Sequence, residues 1–306
     1  MESDIINIAH KYFLASLMLT AVAAASGCAF SPYDDASVEN LLESPQRPVF
    51  HEFSVGGRTV FYATAGDPDR QPVMFIHGTP GSWKAFAEYL ADESLAEKAY
   101  LISVDRPGFG KSGYKQVMPS LADQAVLMQT VIAREADGKK VILVGHSLGA
   151  PIAARLVMDF PDLVDAMVLV APSLDPALEK PRWYNRLAAS PVISWAVPTN
   201  LALANEEIMP LEQELQAMLP LWDTIRIPVI VIQGGKDNLV SPQNADFAER
   251  VLGSCSQILR LPEAGHFILW KQPGVIRNAI LTLLAPDDTL MENITVCALR
   301  FPLPYQ

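Results

Sequence analysis

The sequence predicts an α/β fold, with a mostly parallel central sheet and helices on both of its faces. Three observations carry that expectation. Short continuous apolar runs such as Val141-Ile142-Leu143-Val144 recur along the chain, as they do in strands buried on both faces rather than on one. Helix-like stretches separate these runs, and strand alternating with helix is the pattern of a parallel sheet. Half of the 306 residues are apolar, enough to fill one large core, so a single folded domain is expected.

The elements follow in order. Residues 49–55 and 59–64 flank Gly56-Gly57-Arg58 and read as a hairpin whose glycines take positive φ. Strands are expected at 73–76, 100–104 and 141–144, with helices near 83–90, at 121–135 and at 150–160. A strand at 167–170 comes next; after an interruption, strands at 229–232 and 257–261 and a last helix at 275–284 complete the pattern. The interruption, about 173–227, is far longer than one crossover needs and carries Trp183, Trp195 and Trp222. A connection of that length reads as a functional insertion, expected to be a lid over the C-terminal edge of the sheet, where open α/β folds place their sites. Simple packing of those aromatics against the core stays open beside that reading.

Gly145-His146-Ser147-Leu148-Gly149 joins the strand at 141–144 to the helix after it. A strand, a turn with no room for a side chain at either glycine, and a helix lift a serine hydroxyl out of the sheet above a helix N-terminus that favours negative charge. Ser147 is therefore the candidate nucleophile.

Charge and cysteine content exclude other classes. A net charge of −11 without a basic cluster argues against nucleic-acid binding, which needs clustered Lys or Arg. Cys28, Cys255 and Cys297 are too few and too scattered for a zinc site or a disulfide framework. No phosphate-gripping loop is visible, and no metal or organic cofactor is expected.

The N-terminus has its own logic. Residues 12–25 form an apolar run after Lys11 that ends in small residues, too short to span a bilayer comfortably and shaped like a signal peptide. Ala25-Ser26-Gly27-Cys28 resembles the bacterial lipoprotein box, which implies lipidation at Cys28, although Ala25 stands where that family has leucine and Glu2 and Asp4 weaken the basic start. Ordinary signal cleavage and an uncleaved anchor are the alternatives. The expected organisation is a signal segment at 1–28, a linker at 29–48, a catalytic domain at 49–286 and a tail at 287–306. The expected location is the bacterial cell envelope, lipid-anchored or periplasmic and secreted, with membrane anchoring through the N-terminus. The tail carries an Asn293-Ile294-Thr295 sequon and is assigned no function.

Five marker segments stand in register: His77-Gly78-Thr79-Pro80-Gly81; Asp105-Arg106-Pro107-Gly108-Phe109-Gly110-Lys111-Ser112; the Gly145 elbow; Gly234-Gly235-Lys236-Asp237; and Gly265-His266-Phe267. On these the chain resembles the α/β-hydrolases, in their serine-nucleophile branch with a lid insertion. The resemblance implies the order Ser, Asp, His, with His266 as base, after the last strand, and Asp237 as the carboxylate that orients it. Asp175, after the preceding strand, is the alternative acid. The resemblance also implies an oxyanion hole made by the backbone N–H groups of Leu148 and Thr79. His77 reads as structural, and the Asp105 loop as shaping the mouth of the site.

Serine in place of aspartate at the elbow points to acyl chemistry on a small-molecule acyl substrate. The expected activity is a serine carboxylesterase. The alternatives are a peptidase, amidase or acyltransferase on the same site, for which Glu206, Glu207, Glu212 and Glu214 of the insertion are candidate amine ligands or a solvated helix face, and, more distantly, a noncatalytic binding protein that kept the fold.

Overall fold

The structure, a computed structural model, describes residues 47–191 and 193–285, with Val38 and Glu43 besides. The strands are β1 (Val49–Val55), β2 (Arg58–Ala65), β3 (Gln71–Ile76), β4 (Ala99–Val104), β5 (Val141–His146), β6 (Val164–Val170), β7 (Val229–Gly234) and β8 (Ser256–Leu261). They form one sheet in the order β1-β2-β4-β3-β5-β6-β7-β8. The β1/β2 and β2/β4 pairs are antiparallel, and from β4 to β8 every pair is parallel. The expected α/β architecture is therefore present, and β2–β7 are buried almost throughout, as their continuous apolar runs required.

Helices cover both faces: α1 (Ala87–Leu90), α2 (Glu93–Ala96), α3 (Leu121–Glu135), α4 (Gly149–Asp159), α5 (Trp183–Ala188), α6 (Thr199–Met218), α7 (Asn244–Leu252), α8 (Ile268–Lys271) and α9 (Pro273–Leu284). Period-2 alternation splits the core between the faces. Met74 and Ile76 of β3 join the side packed by α3 and α4, while Val73 and Phe75 join the side of α1 and α9.

Local chemistry explains the boundaries. Val55 pairs with Arg58, so the first turn is Gly56-Gly57 alone, with φ of 57° and 77°; two successive positive φ values define a type I′ turn, which L side chains resist. Ser120 caps α3 by accepting from the Asp123 N–H. Strand β6 starts at Val164, earlier than its apolar run suggests, because exposed Asp165 interrupts the run without breaking the ladder. The stretch 83–90 is a 3₁₀ turn, Trp83–Phe86, leading into α1. Helix α7 is an addition to the sequence reading.

The insertion between β6 and β7 contains α5, α6 and two 3₁₀ turns, Ser194–Ala196 and Leu219–Thr224. Its tryptophans divide. Trp222 is buried edge-on against Phe247, with ring centroids 5.5 Å apart, so for it the packing reading holds. Trp183 and Trp195 are 67% and 83% exposed.

The signal segment with Cys28, the expected linker apart from Val38, Glu43, Arg47 and Pro48, and the tail lie outside the described residues. No helix among the described residues is long and apolar enough to cross a membrane. Cys255 is disulfide-bonded, so the scattered cysteines support one bridge though not a framework.

Candidate active site

The parallel half of the sheet sends the C-terminal ends of β5, β7 and β8 to one edge, and three of the singled-out side chains sit there. Ser147 follows β5 with φ of 54°, left-handed backbone on a residue other than glycine. Its neighbours enforce that turn. A Cβ on Gly145 would lie 2.6 Å from the Gly149 carbonyl oxygen, and one on Gly149 would lie 2.1 Å from that of Ile76. The Ser147 N–H donates to the Val170 carbonyl at 2.9 Å, and the Ser147 carbonyl accepts from Ala150 at 3.1 Å. Strain of this kind, about 1–3 kcal/mol, persists only where surrounding contacts overdetermine it.

His266 and Asp237 meet across β7 and β8. The Nδ1–H of His266 donates to Asp237 Oδ2 at 2.8 Å, so in that tautomer the Nε2 lone pair is the one left unused by the pair. Asp237 is itself held, with Oδ1 accepting from the N–H groups of Leu239 and Val240 at 2.9 Å each. Asp175 points elsewhere: it accepts from the Ala177 N–H at 2.9 Å and lies 3.9 Å from Arg250. His146 packs behind His266. Its Nε2 lies 3.4 Å from the His266 carbonyl, its ring centroid 5.0 Å from that of His266, and burial lowers its pKa to about 3, so it is a neutral donor.

The loop 77–81 lies against the elbow. A Cβ on Gly78 would sit 2.9 Å from Ser147 Cβ. Burial, with the Arg106 charge next, holds the His77 pKa well below the ordinary range. The neutral ring donates from Nδ1 to the Gly78 carbonyl at 2.7 Å and accepts from the Arg106 N–H at Nε2, 3.0 Å; the structural reading of His77 fits these bonds. Leu148 is the N-cap of α4, so its N–H belongs to the amides a helix leaves without an intrahelical partner. Asp105 is fully buried and ties its loop together, accepting from Trp83 and Lys111 N–H groups at 2.7 Å each, and burial pushes its carboxyl up to about 6.

The insertion contributes side chains that the sequence reading missed or misplaced. Glu207 faces neither substrate nor solvent: it is 1% exposed and forms a bidentate pair with Arg106, 2.7 and 2.9 Å. Glu214 accepts from the Leu121 N–H at 2.8 Å, at the start of α3. Glu206 is exposed and Glu212 half-buried. Glu179 is new. It accepts from Asn244 Nδ2 at 3.0 Å and bonds the Ser173 side chain, with His266 close enough to act on it electrostatically, and burial raises its carboxyl to about 7. Asn244 holds this corner by also accepting from the N–H groups of Leu174 and Asp175 at 2.7 and 2.8 Å. The sequence signal was faint, an acidic residue nine positions past the end of β6. Among the described residues no group of three or more His, Cys, Asp or Glu is arranged to hold a metal.

Comparison with known proteins adds to this geometry. Residues 73–279 match the Alpha/beta hydrolase family model. An uncharacterized hydrolase, YugF, of Bacillus subtilis is 28% identical over 121 residues, 40% of this chain and 44% of that protein. The sn-1-specific diacylglycerol lipase ABHD11 of Danio rerio is 24% identical over 260 residues, 72% of this chain and 80% of its own length. The chain thus spans under half of the first relative and most of the second. The crystal structure of a putative lipase from Acinetobacter baumannii superposes with a TM-score of 0.61 at 20% identity, covering 84% of this chain and 96% of that one; at that identity the likeness concerns the fold.

Proposed function

The chain belongs to the alpha/beta hydrolase family, and from that premise we propose that it is a serine hydrolase cleaving carboxylic esters through an acyl-enzyme on Ser147. The observation that carries this reading is the pairing of His266 Nδ1 with Asp237 at 2.8 Å on the strand edge that also holds the left-handed Ser147. With its Nδ1 proton committed to Asp237, His266 takes the Ser147 proton at Nε2 as the oxygen attacks the acyl carbonyl. It then returns that proton to the departing alcohol, and water hydrolyses the acyl-enzyme by the same base. The main-chain N–H groups of Leu148 and Thr79 receive the oxyanion. Serine where epoxide hydrolases and haloalkane dehalogenases use aspartate favours acyl chemistry, and the lipase names among the relatives favour esters.

The test is direct. Protein lacking residues 1–28 should hydrolyse short-chain p-nitrophenyl esters and be labelled at Ser147 by an organophosphonate. Ser147→Ala should lower kcat by about 10⁴- to 10⁶-fold; activity and labelling that survive that change would refute the reading. Glu179, held by Asn244 at 3.0 Å and by Ser173 near His266, favours a second reading, a peptidase or amidase with this side chain as the ligand of the substrate amine. Aminoacyl-anilides beside the esters separate the two.

The location is a proposal of the same kind: export with lipid attachment at Cys28. Full-length protein made in a bacterial host should incorporate labelled fatty acid and sediment with membranes, and Cys28→Ser should abolish both. Unlabelled protein in the periplasm would instead indicate ordinary secretion.

A further inference from the structure

Arg106 is a fully buried cation with an elaborate set of partners. Its guanidinium meets Glu207 of α6 through both terminal nitrogens, at 2.7 and 2.9 Å. Gln124 of α3 bridges the pair: its Oε1 accepts from Arg106 Nη1 at 2.9 Å, and its Nε2 donates to Glu207 Oε1 at 3.1 Å and to the Met118 carbonyl at 2.7 Å. The remaining contact of the fork is Nη2 to the Gly78 carbonyl, 2.9 Å. Stability does not account for this cluster. A buried ion pair scarcely recovers its desolvation cost, and Arg106 Nε stays buried without a hydrogen-bond partner among the described residues.

We infer that Arg106 and Glu207 are a positioning pair for the oxyanion hole, holding the Gly78–Thr79 peptide by its carbonyl so that the Thr79 N–H is aimed at the reacting centre. The inference rests on the serine-hydrolase reading above and deepens it. A trans peptide is one rigid plane whose C=O and N–H point in opposite directions, so fixing the Gly78 oxygen fixes the direction of the Thr79 hydrogen. Two donors fix it, Arg106 Nη2 and His77 Nδ1. Both depend on Arg106, because its main-chain N–H occupies His77 Nε2 and thereby sets the tautomer that leaves the proton on Nδ1. A charged donor on the carbonyl also polarises the amide and strengthens its N–H as a donor. The plane lies against the nucleophile, since a Cβ on Gly78 would fall 2.9 Å from Ser147 Cβ. As Glu207 belongs to the insertion, the oxyanion hole is correctly shaped only when α6 is seated.

Two conservative variants test this. Glu207→Gln keeps the shape and removes the charge, and Arg106→Lys keeps the charge and removes the fork. Each should lower kcat on a short-chain p-nitrophenyl ester by about 10- to 100-fold with little change in KM, less than the roughly 10²- to 10³-fold lost when an oxyanion donor is deleted outright. Inhibition by a trifluoromethyl ketone, which binds as a tetrahedral oxyanion, should weaken by the same factor, and a planar amide of equal shape should bind unchanged. A merely structural role would not move the two inhibitors apart. Should a variant misfold, Gln124→Leu replaces it, and in each folded protein the Thr79 amide proton should shift upfield in NMR, a readout that needs no turnover. Unchanged kcat, ketone affinity and Thr79 resonance in variants still labelled at Ser147 would overturn the positioning role alone. A wild-type protein with no phosphonate labelling would overturn the serine-hydrolase reading and this inference with it.

Discussion

Asp237 and Asp175 are two loop aspartates that a sequence cannot rank on chemistry alone, and their contacts separate them. Asp237 offers one oxygen to His266 and the other to two backbone N–H groups, so Asp237→Asn keeps the size and removes both orientation and charge. It should lower kcat by about 10⁴-fold with the fold intact. Asp175→Asn should change kcat by less than about threefold, its carboxylate being occupied by Ala177 and Arg250. Steady-state kinetics on one ester suffice, and the reverse ranking would reassign the acid. Ser147, Asp237 and His266 were legible as candidates because each follows a strand end within two residues of a glycine. Arg106, Glu207 and Glu179 were not, because their roles arise from contacts between residues far apart in sequence, 101 positions for the ion pair and 65 for the bond of Glu179 to Asn244. Glu207 looked like a solvated helix residue for the same reason: sequence shows its charge but not the cation across from it.

At the scale of elements, the strands were legible because burial on both faces leaves continuous apolar runs. The helix α7 was not, since its buried positions Ala245, Phe247, Ala248 and Leu252 alternate with Asp246, Glu249 and Arg250 in a segment of nine residues, too short for the pattern to stand out. The insertion was legible as a length anomaly and nothing finer. Its attachment includes polar contacts that only packing reveals, among them Glu207 to Arg106, Glu214 to the first turn of α3, and Arg182 to the Leu239 carbonyl at 3.2 Å, beside the loop that presents Asp237. The insertion therefore touches the Asp237 loop directly and reaches the Gly78–Thr79 loop through Arg106.

For the whole molecule the buried ionisable groups dictate how stability follows pH. His146 has its folded pKa depressed from 6.5 to about 3 and His77 is lowered in the same direction, so each contributes stability that is present above pH 6.5 and lost as pH falls. Glu179 is raised from 4.5 to about 7 and Asp105 from 3.8 to about 6; each contributes stability that is present below its unfolded value and lost as pH rises through the folded one. The two pairs oppose each other near pH 5–6. Below pH about 4 the two raised acids no longer add to the slope, and the His146 effect should lower stability by up to about 1.4 kcal/mol per pH unit down to pH about 3, with His77 and the lowered carboxyl of Asp92 acting in the same direction. Glu179→Gln isolates one acid: relative to wild type it should gain nothing at pH 4.5 and, discounted for the partial exposure of Glu179, about 2 kcal/mol above pH 7. Urea titrations across pH 3–8 measure both, and a difference independent of pH would refute the assignment of Glu179.

The tryptophans described with the fold also sort by solvent access. Trp83 and Trp222 are buried, and the two most exposed, Trp183 at 67% and Trp195 at 83%, both lie in the insertion. A dissolved collisional quencher such as iodide therefore reaches the emission of Trp183 and Trp195 while buried Trp83 and Trp222 go on emitting, so intrinsic fluorescence resolves into two populations by exposure. The segment that holds Glu207 thus carries its own optical reporter, and its loosening can be followed in the unlabelled protein.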